Sequence, residues 1–139
     1  MVDSYDAVLR KCMDDANFRK LMAVPNLAVH HFVADAVTLC APRDVFIVSD
    51  DPKDIEHVRR QAVALREETP LAIPGHTVHF DGMNDQGRDR EVTKYLVPTT
   101  DTLSKALNQV EREAGLSEVR GLLRDSMKGR TLIVRFLSL

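Results

Sequence analysis

Two arginines flank an aspartate in the run Asn84-Asp85-Gln86-Gly87-Arg88-Asp89-Arg90-Glu91. A guanidinium is a planar fork that meets a carboxylate or phosphate through two parallel hydrogen bonds, which lysine cannot reproduce. The functional reading of this run is an anion clamp. The plain alternative is a solvated loop with local ion pairs worth under about 1 kcal/mol. His76, His79 and Asp81 form a second set, because imidazole and carboxylate suit several divalent ions. Residues three apart in a strand face opposite sides, however, so joint coordination by both histidines needs a bulge or turn. Solvated or core-satisfied histidines are therefore expected there, and His30-His31 read as half core, half surface. Asp50-Asp51 at a strand's end can attract a cation, but helix capping already accounts for Asp51. Gly75, Gly82, Gly87, Gly115, Gly121 and Gly129 give neither G-x-x-x-x-G-K-[ST] nor G-x-G-x-x-G. That spacing excludes the familiar phosphate-cradling loops from this chain.

These side chains need a scaffold, and 139 residues with 44% hydrophobic content can build a core as a single domain, 1–139. Lys+Arg 19 against Asp+Glu 21 gives a formal charge of -2, which argues against a nucleic-acid binder and a polybasic membrane anchor. No apolar run approaches the roughly 20 residues of a membrane span. Asp3, Asp6, Arg10, Lys11, Asp14 and Asp15 interrupt the N-terminus, unlike a signal peptide. Cys12 and Cys40 are too few for a disulfide framework and fit a reducing cytoplasmic setting.

Periodicity predicts a helix over 4–22 and a second from Pro25, with Val29, Phe32, Val33, Ala36, Val37 and Cys40 on one stripe. Val45–Val48 reads as a buried strand. Asp51 caps a third helix with Pro52 in its first position and Ile55, Val58, Ala62 and Leu65 inward. Leu71–Ile73, the Pro74-Gly75 turn and His76–Phe80 form a hairpin. Residues 81–89 are a polar loop, and Tyr95–Val97 a short strand. Asp101 opens a fourth helix, with Leu103, Ala106, Leu107 and Val110 inward and Gly115 as its stop. Leu116–Met127 is one more helix, bent at Gly121, and Gly129 releases the chain into a closing strand. The fold class is a mixed-sheet α/β or α+β domain.

That closing segment, Met127-Lys128-Gly129-Arg130-Thr131-Leu132-Ile133-Val134-Arg135-Phe136-Leu137-Ser138-Leu139, resembles a signature of GTP-dependent phosphoenolpyruvate carboxykinase. The family pattern is M-[KR]-G-R-T, an apolar strand, Phe-Ser and then Gly-Pro. Here Leu137 stands between Phe136 and Ser138, and the sequence stops where Gly-Pro is expected. The stretch from Asn26 to Asp50, with its Leu39-Cys40-Ala41-Pro42 junction, is similar to the family's early helix and strand. Asp51 to Leu71 is similar to the acidic helix that follows. Arg88 and Thr93 match the family's R-x-x-x-x-T, and a shift of two residues selects Arg90 instead. The likeness covers about residues 25–139.

The resemblance implies the N-terminal domain of the carboxykinase fold. It also implies an enzyme that converts oxaloacetate and GTP to phosphoenolpyruvate, GDP and carbon dioxide in gluconeogenesis, with Mn²⁺ and Mg²⁺ as cofactors. Arg88, or Arg90 in the alternative register, is the position that inherits the grip on the substrate carboxylate. The phosphate loop, reactive cysteine, metal ligands and guanine pocket belong beyond Leu139, so no catalytic, cofactor or metal residue is expected in this chain. Its expected partners are the substrate and its own absent C-terminal catalytic domain. No nucleic acid or membrane is expected. Alone, the chain is expected to be inactive. The competing reading is a stand-alone carboxylate-binding or protein-interaction module of the same fold, and the coding sequence past Leu139 separates the two.

Overall fold

The computed structural model describes residues 2–82 and 92–137. In chain order the elements are α1 (Val2–Cys12), α2 (Asp15–Met22), α3 (Leu27–Cys40), β1 (Asp44–Val48), α4 (Pro52–Ala64), β2 (Thr69–Pro70) and β3 (Thr77–Val78). They continue with β4 (Tyr95–Val97), β5 (Gln109–Glu111), α5 (Arg112–Leu123) and β6 (Thr131–Arg135). This is a mixed α/β chain, as the pattern of periods predicts. It divides into two compact units, residues 1–51 with 117–139 and residues 52–116.

In the first unit, β1 and β6 pair in parallel from Asp44↔Thr131 to Val48↔Arg135. Alternation puts Val45 and Ile47 on the buried face, where Leu132 and Val134 join them. Leu9, Phe18, Leu21, Val33 and Val37 complete this core from the three N-terminal helices. The helix expected over 4–22 is two helices. The break falls at Asp14, whose carboxylate accepts from Asn17 N at 2.7 Å. That backbone bond, ahead of smaller causes, holds the Asp14 carboxyl below its usual range. Asn17 is buried and accepts at Oδ1 from Ile47 N at 2.8 Å, so a side chain satisfies a donor on the edge of β1. Helix α3 begins after Asn26, which caps Ala28 N, rather than at Pro25. Phe32, expected inward, is 72% exposed, while Ala34 is buried in its place.

In the second unit, α4 starts at Pro52 as expected, but Ile55 and Leu65 are exposed and Asp54 is buried. The predicted hairpin exists with its pairing moved outward: Thr69 faces Val78 and Pro70 faces Thr77. Leu71–Ile73 belong to the connection, and Gly75 takes φ +77° in it.

The helix expected from Asp101 to Gly115 does not form. Gln109 closes a turn by accepting from Leu103 N at Oε1 and donating to Leu103 O at Nε2. Gln109–Glu111 then pairs in parallel with Tyr95–Val97. Gly115 is inside α5 rather than after a helix, and α5 continues through Gly121 to Leu123. A Cβ on Gly115 would lie 2.3 Å from Leu96 Cδ2 and 3.0 Å from Val110 Cγ1. Glycine lets α5 approach the β4–β5 pair this closely without displacing the Leu96 side chain.

Candidate functional site

Arg88 and Arg90 lie outside the described residues. The segment that follows them is described. Val92–Lys94 leads directly into β4, which β5 holds on one edge and which packs over Gly115 of α5. The start of α5 is fixed in turn by Glu111, whose carboxylate accepts from Glu113 N at 3.0 Å and Ala114 N at 2.8 Å. These two backbone donors keep the Glu111 carboxyl below its usual range. An acid bonded to the first N–H groups of a helix satisfies orphan donors and complements the dipole. The described segment that follows Arg90 in sequence is therefore tied to a capped helix through a three-residue strand.

The histidine set does not converge on a ligand site. His79 donates from Nδ1 to the Glu67 carbonyl, and its Nε2 lies 3.4 Å from Asp81 Oδ1. Its pKa is raised, first by the Glu67 carbonyl and then by Asp81. His76 bonds instead from Nδ1 to Pro74 O at 3.2 Å. His30 donates from Nε2 to the carbonyls of Leu21 and Val24, and His31 stacks on Tyr5 at 4.1 Å. Among the described residues, no three His, Cys, Asp or Glu side chains form a group able to hold a metal. Asp51 N donates to Ser49 Oγ at the entrance to α4.

The M-x-G-R-T segment is brought onto the Leu39–Pro42 junction. Asp125 N donates to Leu39 O at 2.9 Å, and Met127 N to Cys40 O at 3.0 Å. Arg43 N then donates to Arg130 O at 2.9 Å, which leads into the β1–β6 ladder. Ala41, Asp125 and Gly129 all have positive φ, of 51°, 60° and 74°. Three left-handed residues reverse the chain around this contact, and Gly129 supplies one without the steric cost of a Cβ.

Arg43, which the sequence reading passed over, clasps the two strands. Its guanidinium donates to Gly129 O at 3.2 Å, Thr131 Oγ1 at 3.1 Å and Asp44 Oδ2 at 2.6 Å. The Asp44 carboxyl is held below its usual range by the Thr131 hydroxyl first and Arg43 second. In sequence Arg43 stands between Pro42 and a strand that opens on Asp44, and the partners that make it a clasp lie 86 and 88 residues away. Lys128 pairs with Asp125 at 3.0 Å within the same turn. The Met127–Thr131 signature is thus the seam holding β6 on β1.

A profile of the phosphoenolpyruvate carboxykinase N-terminal domain matches residues 31–139. The chain belongs to this family. It is 40% identical over 128 residues to the GTP-dependent phosphoenolpyruvate carboxykinase of Pyrococcus abyssi, covering 92% of this chain and 21% of that protein. The carboxykinase of Sulfurisphaera tokodaii is 39% identical over 131 residues, 94% of this chain and 21% of its own length. That of Saccharolobus solfataricus is 38% identical over 121 residues, 87% and 20%. The chain thus spans about a fifth of the length of these relatives. Leu39–Pro42 and Met127–Thr131, two of the stretches that carried the resemblance, fall inside the matched carboxykinase domain.

Proposed function

We propose that this chain is the substrate-gripping N-terminal portion of a GTP-dependent phosphoenolpyruvate carboxykinase. The observation that carries this is the identity of about 40% to carboxykinases that the match covers only over their N-terminal fifth. In the proposed reaction the C–C bond to the departing carboxyl group breaks, leaving its electron pair on oxaloacetate as an enolate. The enolate oxygen attacks the γ-phosphorus of GTP, the bond to GDP breaks, and phosphoenolpyruvate and carbon dioxide leave.

Arg88, in the register that keeps Thr93 aligned, donates its two-pronged guanidinium to the substrate carboxylate. Arg90 takes this role in the alternative register. Such a contact fixes the orientation of a charged substrate before phosphoryl transfer, which depends on positioning and electrostatics more than on covalent help. GTP and the Mn²⁺ or Mg²⁺ that offset charge during transfer are assigned to the rest of the enzyme. Among the described residues, no three His, Cys, Asp or Glu side chains come together to hold a metal. The setting we propose is cytoplasmic and gluconeogenic. Among the described residues, no helix is long and apolar enough to cross a membrane.

The purified 139-residue chain, supplied with oxaloacetate, GTP and Mn²⁺, is expected to form no phosphoenolpyruvate above the uncatalysed background. Sustained turnover by the chain alone would overturn its assignment as a partial, inactive portion.

A further inference from the structure

One face of α4, at spacings i, i+3, i+4, i+7 and i+8, presents Glu56, Arg59, Arg60, Val63 and Ala64 to an open groove. The opposite wall is the β2–β3 hairpin, which contributes Leu71, Pro74 and His76. The groove encloses about 470 Å³, within the range of roughly 300–1,000 Å³ typical of small-molecule sites. Its floor is aliphatic, and Leu71 is 47% exposed there. Its rim carries two guanidinium groups against the single carboxylate of Glu56. Among the described residues, neither Arg59 nor Arg60 takes part in an ion pair. The hairpin wall is braced by Thr77 Oγ1 donating to Glu68 Oε2 at 2.6 Å and Leu71 N to His76 O at 2.9 Å.

Aliphatic surface beside two adjacent guanidinium groups fits one kind of occupant: an apolar body with an anionic head. We propose that this groove binds a small organic anion, its carboxylate or phosphate on Arg59 and Arg60 and its apolar body on Val63, Leu71 and Pro74. Glu56, one turn before both arginines, competes with the ligand for them and tunes the affinity downward. The site is separate in sequence from Arg88 and Arg90, and the proposal does not rest on the carboxykinase reaction.

The test is a fluorescence titration of the 139-residue chain with 1-naphthoate, 1-naphthyl phosphate and the neutral 1-naphthamide. Both anions are expected to bind more tightly than the amide, and the tighter of the two identifies the preferred head group. Arg59→Ala/Arg60→Ala is expected to weaken anion binding about tenfold, the size of a lost charge-assisted contact, and to leave the amide unchanged. Arg59→Lys/Arg60→Lys should fall between, because charge survives without the fork. Glu56→Gln should tighten anion binding about twofold. The proposal is overturned if the amide binds as well as the anions, or if the double alanine variant binds like the parent.

Discussion

In the first unit, Leu9, Leu21 and Val33 are sealed from solvent beside a five-residue parallel strand pair. In the second, Val97 is the one large hydrophobic side chain of comparable burial among the described residues, while Leu65, Leu71, Ile73, Phe80 and Tyr95 are exposed. Its strand pairs are two and three residues long. Short two-stranded ladders are marginal without a buried face, so the second unit relies on caps, turns and one close helix approach. The first unit holds the larger buried core and behaves as an anchor, and the second carries the cationic groove. Low-stability regions are where ligand-binding segments tend to be found. The family signature and the proposed substrate arginine therefore lie in different stretches of the chain. Met127–Thr131 secures the anchor, whereas Arg88 and Arg90 belong by sequence to the more open unit.

The comparison breaks most readily at the core. Leu21→Ala is expected to cost about 2–5 kcal/mol in urea unfolding, as buried leucine truncations do. Leu71→Ala, on the exposed hairpin connection, should stay within about 0.5 kcal/mol. Equal losses at the two positions would show that the second unit holds a core as consequential as the first.

A smaller effect is expected at the closest approach in the second unit. Gly115→Val forces its branches into Leu96 and Val110 and should cost about 1–3 kcal/mol. Gly115→Ala should cost less. Leu96 is partly exposed and can turn aside, and alanine regains about 1 kcal/mol of helix propensity. Chemical denaturation of both variants checks the order, and a harmless valine would contradict the packing described for α5.

The smallest effect is electrostatic and sharpens the role of the seam. The Asp44 carboxyl has a lowered pKa, so its contribution is present above the unfolded-state value and fades as pH falls through the folded one. Its side chain is 43% exposed, so screening limits that contribution to under about 1 kcal/mol. Asp44→Asn should therefore be slightly less stable than the parent near neutrality, and the two stability curves should converge in acid. A difference that persists unchanged at low pH would remove the carboxylate from the account.

Much of the anchor was legible in sequence because its signals are local. A continuous apolar run marked β1, helical spacing marked α3, and Gly129 marked the turn into β6. The second unit was harder. Leu103, Ala106, Leu107 and Val110 satisfy a helical period, yet Val110 pairs with Leu96 in a parallel ladder, and no local pattern announces a partner so distant in sequence. Gly115 looked like a helix stop because glycine at a C-terminus and glycine at a close approach read alike. Arg43 was missed for the same reason, since all that makes it a clasp lies at Gly129 and Thr131. Arg88 and Arg90 were legible by type and by family pattern, and substitution decides between their two registers.

That decision is also the most direct test of the central claim, that this chain supplies the arginine gripping the substrate of a carboxykinase. The measurement is oxaloacetate kcat/KM, with GTP binding followed in parallel, for full-length enzyme carrying Arg88→Ala or Arg90→Ala. The account expects Arg88→Ala to lower kcat/KM about 100-fold, the scale of a lost bidentate charge-assisted contact, with GTP affinity unchanged. Loss from Arg90→Ala alone would move the role to Arg90. Near-parent kcat/KM in both variants would contradict the claim.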